Sequence, residues 1–216
     1  MADRLTVASR RLSMVAYTDM IGWVLMEPLW QWSSEELMQC YRRDGYVAPI
    51  RVVTEAVAQS LRDTVLLGAF ESCDEDLLQA LLAPVKTLID GPIQCVASSL
   101  DKADYAHPAR QWHQDAEFFP PLAQGEGLSV TLALSDMNSN SGAVRILPGS
   151  HRQGCLSQKT TRNPGRPGVA RIIELQPGEI TLQHGCAIHR APAQIAPDPC
   201  QSLWFVFVLD QDQNTG

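Results

Sequence analysis

The chain has 216 residues, 45% of them apolar, so it is long enough to bury a sizeable hydrophobic core within one domain. Its 17 basic and 24 acidic residues give a formal net charge of −7. This balance argues against nucleic-acid binding and against binding to anionic membranes, because proteins of both classes carry a surplus of Lys and Arg. Only five histidines are present, so any histidine-rich site must draw on this small set.

The cysteines and the N-terminal segment predict a cytoplasmic protein that does not associate with a membrane. None of the six cysteines forms a C-x-x-C pair, and their wide spacing is typical of reduced thiols. Residues 1–32 form an extension whose role the sequence leaves open. Asp19 and Glu27 interrupt its mildly apolar stretch, which therefore fits neither a signal peptide nor a membrane span.

Helices are predicted at the front of the chain. Ser33 and Glu36 have the spacing of a capping box, which predicts a helix that ends at Asp44-Gly45. A short strand over 46–53 follows. Two more helices are then predicted, one capped by Thr54 and one from about Asp74 to Asp90.

Short strands are predicted from Ile93 onward, where apolar or alternating runs are separated by Gly, Pro, Asn and Ser. We expect about seven of them, at 93–100, 110–118, 128–134, 143–147, 169–175, 179–183 and 203–209. Helices followed by a meander of strands predict a mainly β fold with N-terminal helices, namely a double-sheet barrel or jelly roll buttressed by helices. We expect one domain over 33–210 and a short tail over 211–216.

The segment Trp112-His113-Gln114-Asp115 is the first candidate metal-binding motif. On a strand, residues two apart point to the same face, so His113 and Asp115 would point into the barrel and Gln114 out of it. A third ligand from another strand would complete the facial triad of non-haem Fe(II) enzymes, which leaves coordination positions open. Taken alone, H-x-D is a weak signal, and a surface His-Asp pair explains it equally well.

Candidates for the third ligand lie further along the chain. A Pro-Gly turn at 177–178 precedes a strand and then a bend that carries His184 and His189. We favour His189, with His184 and His151 as alternatives. His107 is too close in sequence to His113 to arrive from an opposing strand.

The order of these motifs resembles the phytanoyl-CoA dioxygenase family. The resemblance covers about residues 33–210, and its motifs are Arg42–Val47, His113-Gln114-Asp115, Pro148-Gly149-Ser150-His151 and Pro177-Gly178-Glu179…His184-Gly185…His189. It implies a double-stranded β-helix of the cupin-like, jelly-roll type. It also implies an Fe(II) site, 2-oxoglutarate as cosubstrate, and a lipid or small natural product as substrate.

The resemblance also implies roles for particular residues. His113, Asp115 and His189 match the metal ligands of the family, and Gln114 lies near the cosubstrate in family members. Thr131 stands where members often have a tryptophan beside that site, and Lys102 matches a lysine that commonly precedes the motif.

The chain departs from the family where the cosubstrate carboxylate is bound. The family usually has an arginine about eleven residues after the distal histidine, and often a small hydroxyl residue two after it. This chain has Cys200 or Gln201 at the first place and Ala191 at the second. None of them can form a bidentate pair with a carboxylate. The candidates to replace the arginine from another direction are Arg145, Arg171 and Lys102.

Three hypotheses follow. The leading one is an Fe(II)- and 2-oxoglutarate-dependent dioxygenase that uses O₂ to hydroxylate, desaturate or rearrange a small molecule. The second keeps the metal without 2-oxoglutarate, as in an isomerase or a cyclase. The third is a non-catalytic jelly-roll binding subunit. The sequence leaves open the identity of the substrate and whether the chain assembles with like or unlike subunits.

Overall fold

The protein forms an antiparallel double-sheet structure with helices on one side. The computed structural model describes residues 32–66, 75–103, 110–164, 169–193 and 200–211. The expected extension up to residue 31, the tail after residue 211 and His107 lie outside these described residues. The helices are α1 (Ser34–Asp44), α2 (Glu55–Leu66), α3 (Glu75–Leu88), α4 (Pro120–Ala123) and α5 (Gln158–Arg162). The strands are β1 (Tyr46–Arg51), β2 (Ile93–Ala103), β3 (Gly127–Ala133), β4 (Arg145–Ile146), β5 (Arg171–Ile172), β6 (Glu179–His184), β7 (His189–Arg190) and β8 (Cys200–Leu209).

The predicted limits of the first helix are confirmed. The amide of Glu36 donates to Ser33 Oγ at 3.2 Å, and the amide of Ser33 donates to Glu36 Oε2 at 2.9 Å. Both members of the capping box are therefore present. Gly45 ends the helix with φ at 81°, a left-handed conformation that glycine adopts readily, and its amide donates to the carbonyl of Tyr41. The start and the end of α1 are thus set by residues at the ends of the helix itself.

The strands form two antiparallel sheets, as the mainly β prediction requires. One sheet has five strands in the order β1-β6-β3-β8-β2, and the other has three in the order β5-β4-β7. Residues of α1, α2 and α3 pack on one face of the five-stranded sheet, and that core includes Leu37, Leu61, Leu81, Val130 and Phe205. The prediction of a jelly roll buttressed by helices is confirmed. Among the described residues, no helix is long and apolar enough to cross a membrane.

The predicted strand over 110–118 is wrong in most of its length. His113 makes one isolated antiparallel bridge to His189, and a 3-10 turn over Asp115–Glu117 follows at once. The carbonyl of Asp115 accepts from the amides of Phe118 and Phe119, and the carbonyl of Gly185 accepts from Ala116. These bonds satisfy the backbone without a ladder, because the chain turns where the strand was expected to continue.

Candidate metal centre

A cavity of about 360 Å³ lies against the face of the five-stranded sheet that the helices do not cover. Alternate residues of three strands face it: Thr131 on β3, Gln183 on β6, and both Ser202 and Trp204 on β8. Their neighbours in sequence, such as Val130 and Phe205, lie in the core beneath the helices. The alternation of side chains along a strand thus separates the wall of the cavity from the core.

His113, Asp115 and His189 meet at the wall of this cavity. One potential ligand atom from each residue lies within 4.8 Å of the other two. Asp115 Oδ1 lies 3.8 Å from His113 Nε2 and 3.5 Å from His189 Nε2. The bridge between His113 and His189 brings the two rings together, with centroids 4.3 Å apart. The 3-10 turn then places the carboxylate of Asp115 beside both.

Backbone carbonyls fix the orientation of both imidazole rings. His113 Nδ1 lies 2.8 Å from the carbonyl of Gln111, and His189 Nδ1 lies 3.0 Å from the carbonyl of Ala187. A carbonyl can only accept, so the contact with Gln111 assigns the proton of the neutral His113 ring to Nδ1. The lone pair of His113 Nε2 is then directed toward Asp115 Oδ1. His189 Nδ1 lies near both the carbonyl of Ala187 and the amide nitrogen of Gln183, so these contacts hold the ring in place without assigning its proton. This is the arrangement in which metal-binding histidines are held by their second nitrogen.

Two buried polar side chains orient the carboxylate of Asp115, and sequence reasoning missed both. Ser129 Oγ donates to Asp115 Oδ2 at 2.6 Å. Gln183 Nε2 donates to the same oxygen at 3.3 Å and lies 2.8 Å from His189 Nδ1. Oδ1 is thereby left to face the two histidines. The signal that could have found them is a polar residue at an inward position of an apolar strand, Ser129 on β3 and Gln183 on β6.

The charge state of His113 suits a metal. Burial, together with the nearby His189, lowers the pKa of His113 below its usual value. The ring is therefore neutral near pH 7, which is the form that binds a metal ion. Two imidazoles and one carboxylate that converge from one side are the donor set of a non-haem Fe(II) site, so these residues fit Fe(II).

The alternative third ligands lie on the other side of the sheet. The rings of His184 and His151 are 5.1 Å apart, and Tyr41 lies beside His184 at 5.8 Å between centroids. His184 Nδ1 accepts from the amide of Cys186. Burial lowers the pKa of His184 to about 4, with His151 as a second cause. The structure thus brings His189 to the other two candidate ligands, and it places His184 and His151 elsewhere.

Gln114 is fully buried and faces away from the cavity. Its Nε2 donates to the carbonyls of Cys186 and Gly154, at 2.7 and 2.9 Å, and its Oε1 accepts from the amide of Leu156 at 2.8 Å. Three backbone partners occupy this side chain, and Gln114 does not line the cavity. The contact with the cosubstrate that the family resemblance implies for Gln114 stays a prediction.

The other predicted cosubstrate residues have different positions. Thr131 lines the cavity. Arg145 lies on β4 between Ile172 and Arg190 of the neighbouring strands and does not line the cavity. Lys102 pairs with Gln201 at the end of β2, and its side chain is outside the described residues.

The resemblance places the family's arginine at Cys200 or Gln201 and its hydroxyl residue at Ala191. Cys200 and Ala191 line the cavity, and Gln201 is buried without lining it. A cation comes instead from Arg110, which sequence reasoning did not single out. Arg110 lines the cavity, and its Nη2 lies 2.8 Å from Asp101 Oδ1. Guanidinium and hydroxyl groups are donors that suit a carboxylate, so the cavity also fits 2-oxoglutarate.

An antiparallel jelly roll that holds a two-histidine, one-carboxylate cluster beside a cavity defines a protein of the mononuclear non-haem metalloenzyme class. The family comparison is more particular. A family model described as Phytanoyl-CoA dioxygenase (PhyH) matches residues 71–199, which is more than half of the chain. The chain belongs to the phytanoyl-CoA dioxygenase family, whose members are Fe(II)- and 2-oxoglutarate-dependent enzymes. The predicted family, fold class and kind of enzyme are confirmed.

Solved structures share this fold at low sequence identity. The chain resembles the epimerase SnoN in complex with Fe³⁺, alpha ketoglutarate and nogalamycin RO, with a TM-score of 0.66, 22% identity, and coverage of 82% of this chain and 83% of that one. It also resembles EvdO2 from Micromonospora carbonacea var. aurantiaca, with a TM-score of 0.69, 16% identity, and coverage of 85% and 94%. For SnoK, a non-heme alpha ketoglutarate dependent carbocyclase from nogalamycin biosynthesis, the TM-score is 0.65 at 16% identity, with coverage of 85% and 88%.

Proposed function

We propose that the protein oxidises a small molecule with O₂ and 2-oxoglutarate at an Fe(II) ion held by His113, Asp115 and His189. The observation that carries the proposal is the convergence of these three side chains, whose ligand atoms lie within 4.8 Å of one another at the wall of the cavity. Membership of the family supports the choice of iron and of the cosubstrate.

The residues of this site divide the work of binding and orientation. When bound, Fe(II) together with 2-oxoglutarate supplies the chemistry that activates O₂. His113 and His189 both place Nε2 beside Asp115 Oδ1 and would offer that atom to the metal, while backbone carbonyls contact their Nδ1 atoms. Ser129 and Gln183 turn one oxygen of Asp115 toward the metal position. The open side of this cluster faces the cavity, so cosubstrate and substrate approach from there.

The lining of the cavity supports a substrate with an apolar body. Phe119, Met137, Val144 and Trp204 contribute apolar walls, and Phe118 lines the cavity with 62% of its surface exposed. Apolar walls also exclude water, which protects a reactive site from side reactions. Polycyclic or lipid-like small molecules suit such walls, in line with the nogalamycin RO that is bound by the structurally similar SnoN.

The proposal also includes the domain limits, the location and the assembly state of the enzyme. Residues 33–210 form the oxygenase domain, with 1–32 as an N-terminal extension and 211–216 as a tail. The protein works in the cytoplasm, a location that the wide spacing of its six cysteines supports. Whether it works alone or with like or unlike subunits is answered by its molecular mass in solution.

Replacement of one ligand tests the metal site. In His113→Ala, we expect the affinity for Fe(II), measured anaerobically by calorimetry, to fall by more than about 100-fold. Loss of a residue that only supports a ligand already weakens metal binding by about 10- to 100-fold. His151→Ala is the matched control, because this histidine lies on the other side of the sheet. Unchanged Fe(II) affinity in His113→Ala would show that the ligand assignment is wrong.

A second candidate function keeps the metal without the cosubstrate. Ala191 and Cys200 line the cavity where the family usually has a hydroxyl residue and an arginine, which favours an isomerase or a cyclase that does not consume 2-oxoglutarate. Succinate production decides between the two. Succinate formed in stoichiometric amounts with product eliminates this second candidate, and turnover without succinate eliminates the first.

A further inference from the structure

We propose that Arg110 binds the distal carboxylate of 2-oxoglutarate, in place of the arginine that the family usually carries after the distal histidine. The inference rests on the proposed function and names a binding residue for it. Three observations support the inference: the position of Arg110, its positive charge in the lining of the cavity, and the weakness of its ion pair with Asp101.

Arg110 lies at the right place relative to the metal cluster. Its amide donates to the carbonyl of Ala191 at 2.9 Å, two residues after His189. It also precedes His113 by three residues, which places their Cα atoms at most about 10 Å apart along an extended chain. The guanidinium therefore enters the cavity beside the segment that carries both histidines.

Charge distinguishes Arg110 from the other arginines near the cavity. The guanidinium of Arg190 lies over the ring of Trp112, 4.9 Å from its centroid, and Arg145 does not line the cavity. Among the described residues that line it, Arg110 is the one Lys or Arg side chain. A buried or half-buried carboxylate needs such a partner, since removing an unpaired charge from water is costly.

Hydroxyl groups near Arg110 supply further donors. Asp101 pairs with Ser202 across β2 and β8, and Ser99 pairs with Trp204 two residues away. Ser99 and Ser202 both line the cavity, as does Asp101, the partner of Arg110. A carboxylate beside Arg110 therefore meets a guanidinium and two hydroxyl side chains on one patch of wall.

The ion pair with Asp101 does not prevent this role. The side chain of Arg110 is 52% exposed and that of Asp101 is 36% exposed. Exposed ion pairs of this kind contribute little free energy. The planar guanidinium has five N–H donors, so it can hold a second carboxylate or exchange one for another. Asp101 is then a competitor that holds Arg110 in place until the ligand arrives.

The test measures ligand binding without turnover. Calorimetry on the full chain loaded with Mn(II), a redox-inert stand-in, compares 2-oxoglutarate with 2-oxovalerate, which has the same chain length but no distal carboxylate. The wild-type protein should prefer 2-oxoglutarate. Arg110→Ala should lower the affinity for 2-oxoglutarate by about 10- to 100-fold, the value of charge-assisted hydrogen bonds, and leave that for 2-oxovalerate unchanged. The affinity of Arg110→Lys for 2-oxoglutarate should lie between those of the wild type and Arg110→Ala. Asp101→Asn should raise the affinity for 2-oxoglutarate.

Matched variants separate this role from a structural one. Arg43, which pairs with Asp44 at 2.7 Å and does not line the cavity, provides the control Arg43→Ala, which should bind both ligands as the wild type does. The inference is overturned if Arg110→Ala weakens both ligands equally, if it weakens neither, or if Arg145→Ala produces the selective loss instead. Binding of neither ligand to the wild-type, metal-loaded protein would contradict the cosubstrate of the proposed function itself.

Discussion

The two faces of the five-stranded sheet are made by the same strands but have different tasks. On β6, Leu182 is buried beneath the helices, whereas its neighbour Gln183 contacts the candidate metal ligands. On β3, Val130 lies in the helix-covered core, whereas Ser129 holds Asp115. The helix-covered face supplies apolar burial, and the cavity face supplies hydrogen bonds aimed at one cluster. Residues that stabilise the fold and residues that shape the metal site thus alternate along the same strands.

The largest effect is expected on the helix-covered face, at Phe205. This side chain is almost fully buried, and truncation leaves a cavity that its neighbours cannot fill. We expect Phe205→Ala to lower the free energy of unfolding by about 3–5 kcal/mol, measured by urea denaturation. The metal affinity of the folded fraction should stay the same, because Phe205 does not line the cavity.

The adjacent residue on β8 provides the control. Trp204 lines the cavity, and Trp204→Phe keeps an aromatic ring there. We expect it to cost less than about 1.5 kcal/mol of stability. If Phe205→Ala also weakened metal binding in the folded protein, the separation of the two faces would not hold.

The next effect is expected on the cavity face, at Gln183. Gln183→Leu keeps the approximate volume and removes the amide that contacts Asp115 and His189. We expect metal affinity, measured by titration with Mn(II), to fall by about 10- to 100-fold, as for other residues that orient metal ligands. The paired variant Leu182→Ala should do the reverse and lower stability by about 2–5 kcal/mol with unchanged metal affinity. Equal effects of both variants on metal affinity would refute the comparison.

The smallest effect is expected from pH, through His184 on the side opposite the cavity. Its pKa is lowered to about 4 by burial, so the folded protein keeps it neutral where the unfolded chain, with a pKa near 6.5, binds a proton. The unfolded state then binds more protons, and stability falls as the pH drops from about 6.5 toward 4. Because His184 is partly exposed, we expect a loss on the order of 1–2 kcal/mol.

The measurement compares urea unfolding at pH 7 and pH 4.5 for the wild type and for His184→Gln. The variant should lose less stability between the two values, since it has no proton to gain at this position. Identical losses in both proteins would assign the pH dependence to other groups, such as His151, whose pKa burial also lowers.

Local signals explain why much of the fold could be predicted from the sequence. The capping box of Ser33 and the left-handed Gly45 act within one turn of helix, and alternation along β6 acts within one strand. The turn at Asp115 was missed because, besides its local bonds to Phe118 and Phe119, it is held by the carbonyl of Gly185, which is distant in sequence. The role of Arg110 also depends on a distant partner, Ala191. Spacing alone therefore suggested the metal cluster but not the residues that orient it.

Gln114 gives the metal cluster a property beyond its geometry. Gln114 stands between His113 and Asp115 in sequence, and its side chain is bonded to Gly154, Leu156 and Cys186, which lie 40, 42 and 72 residues away. Neutral amide hydrogen bonds therefore tie the segment that carries two proposed ligands to distant parts of the chain. Because these bonds need no metal ion, we expect the ligands to be in position before a metal ion would bind. In this respect we expect the protein to differ from small domains that fold only around their metal.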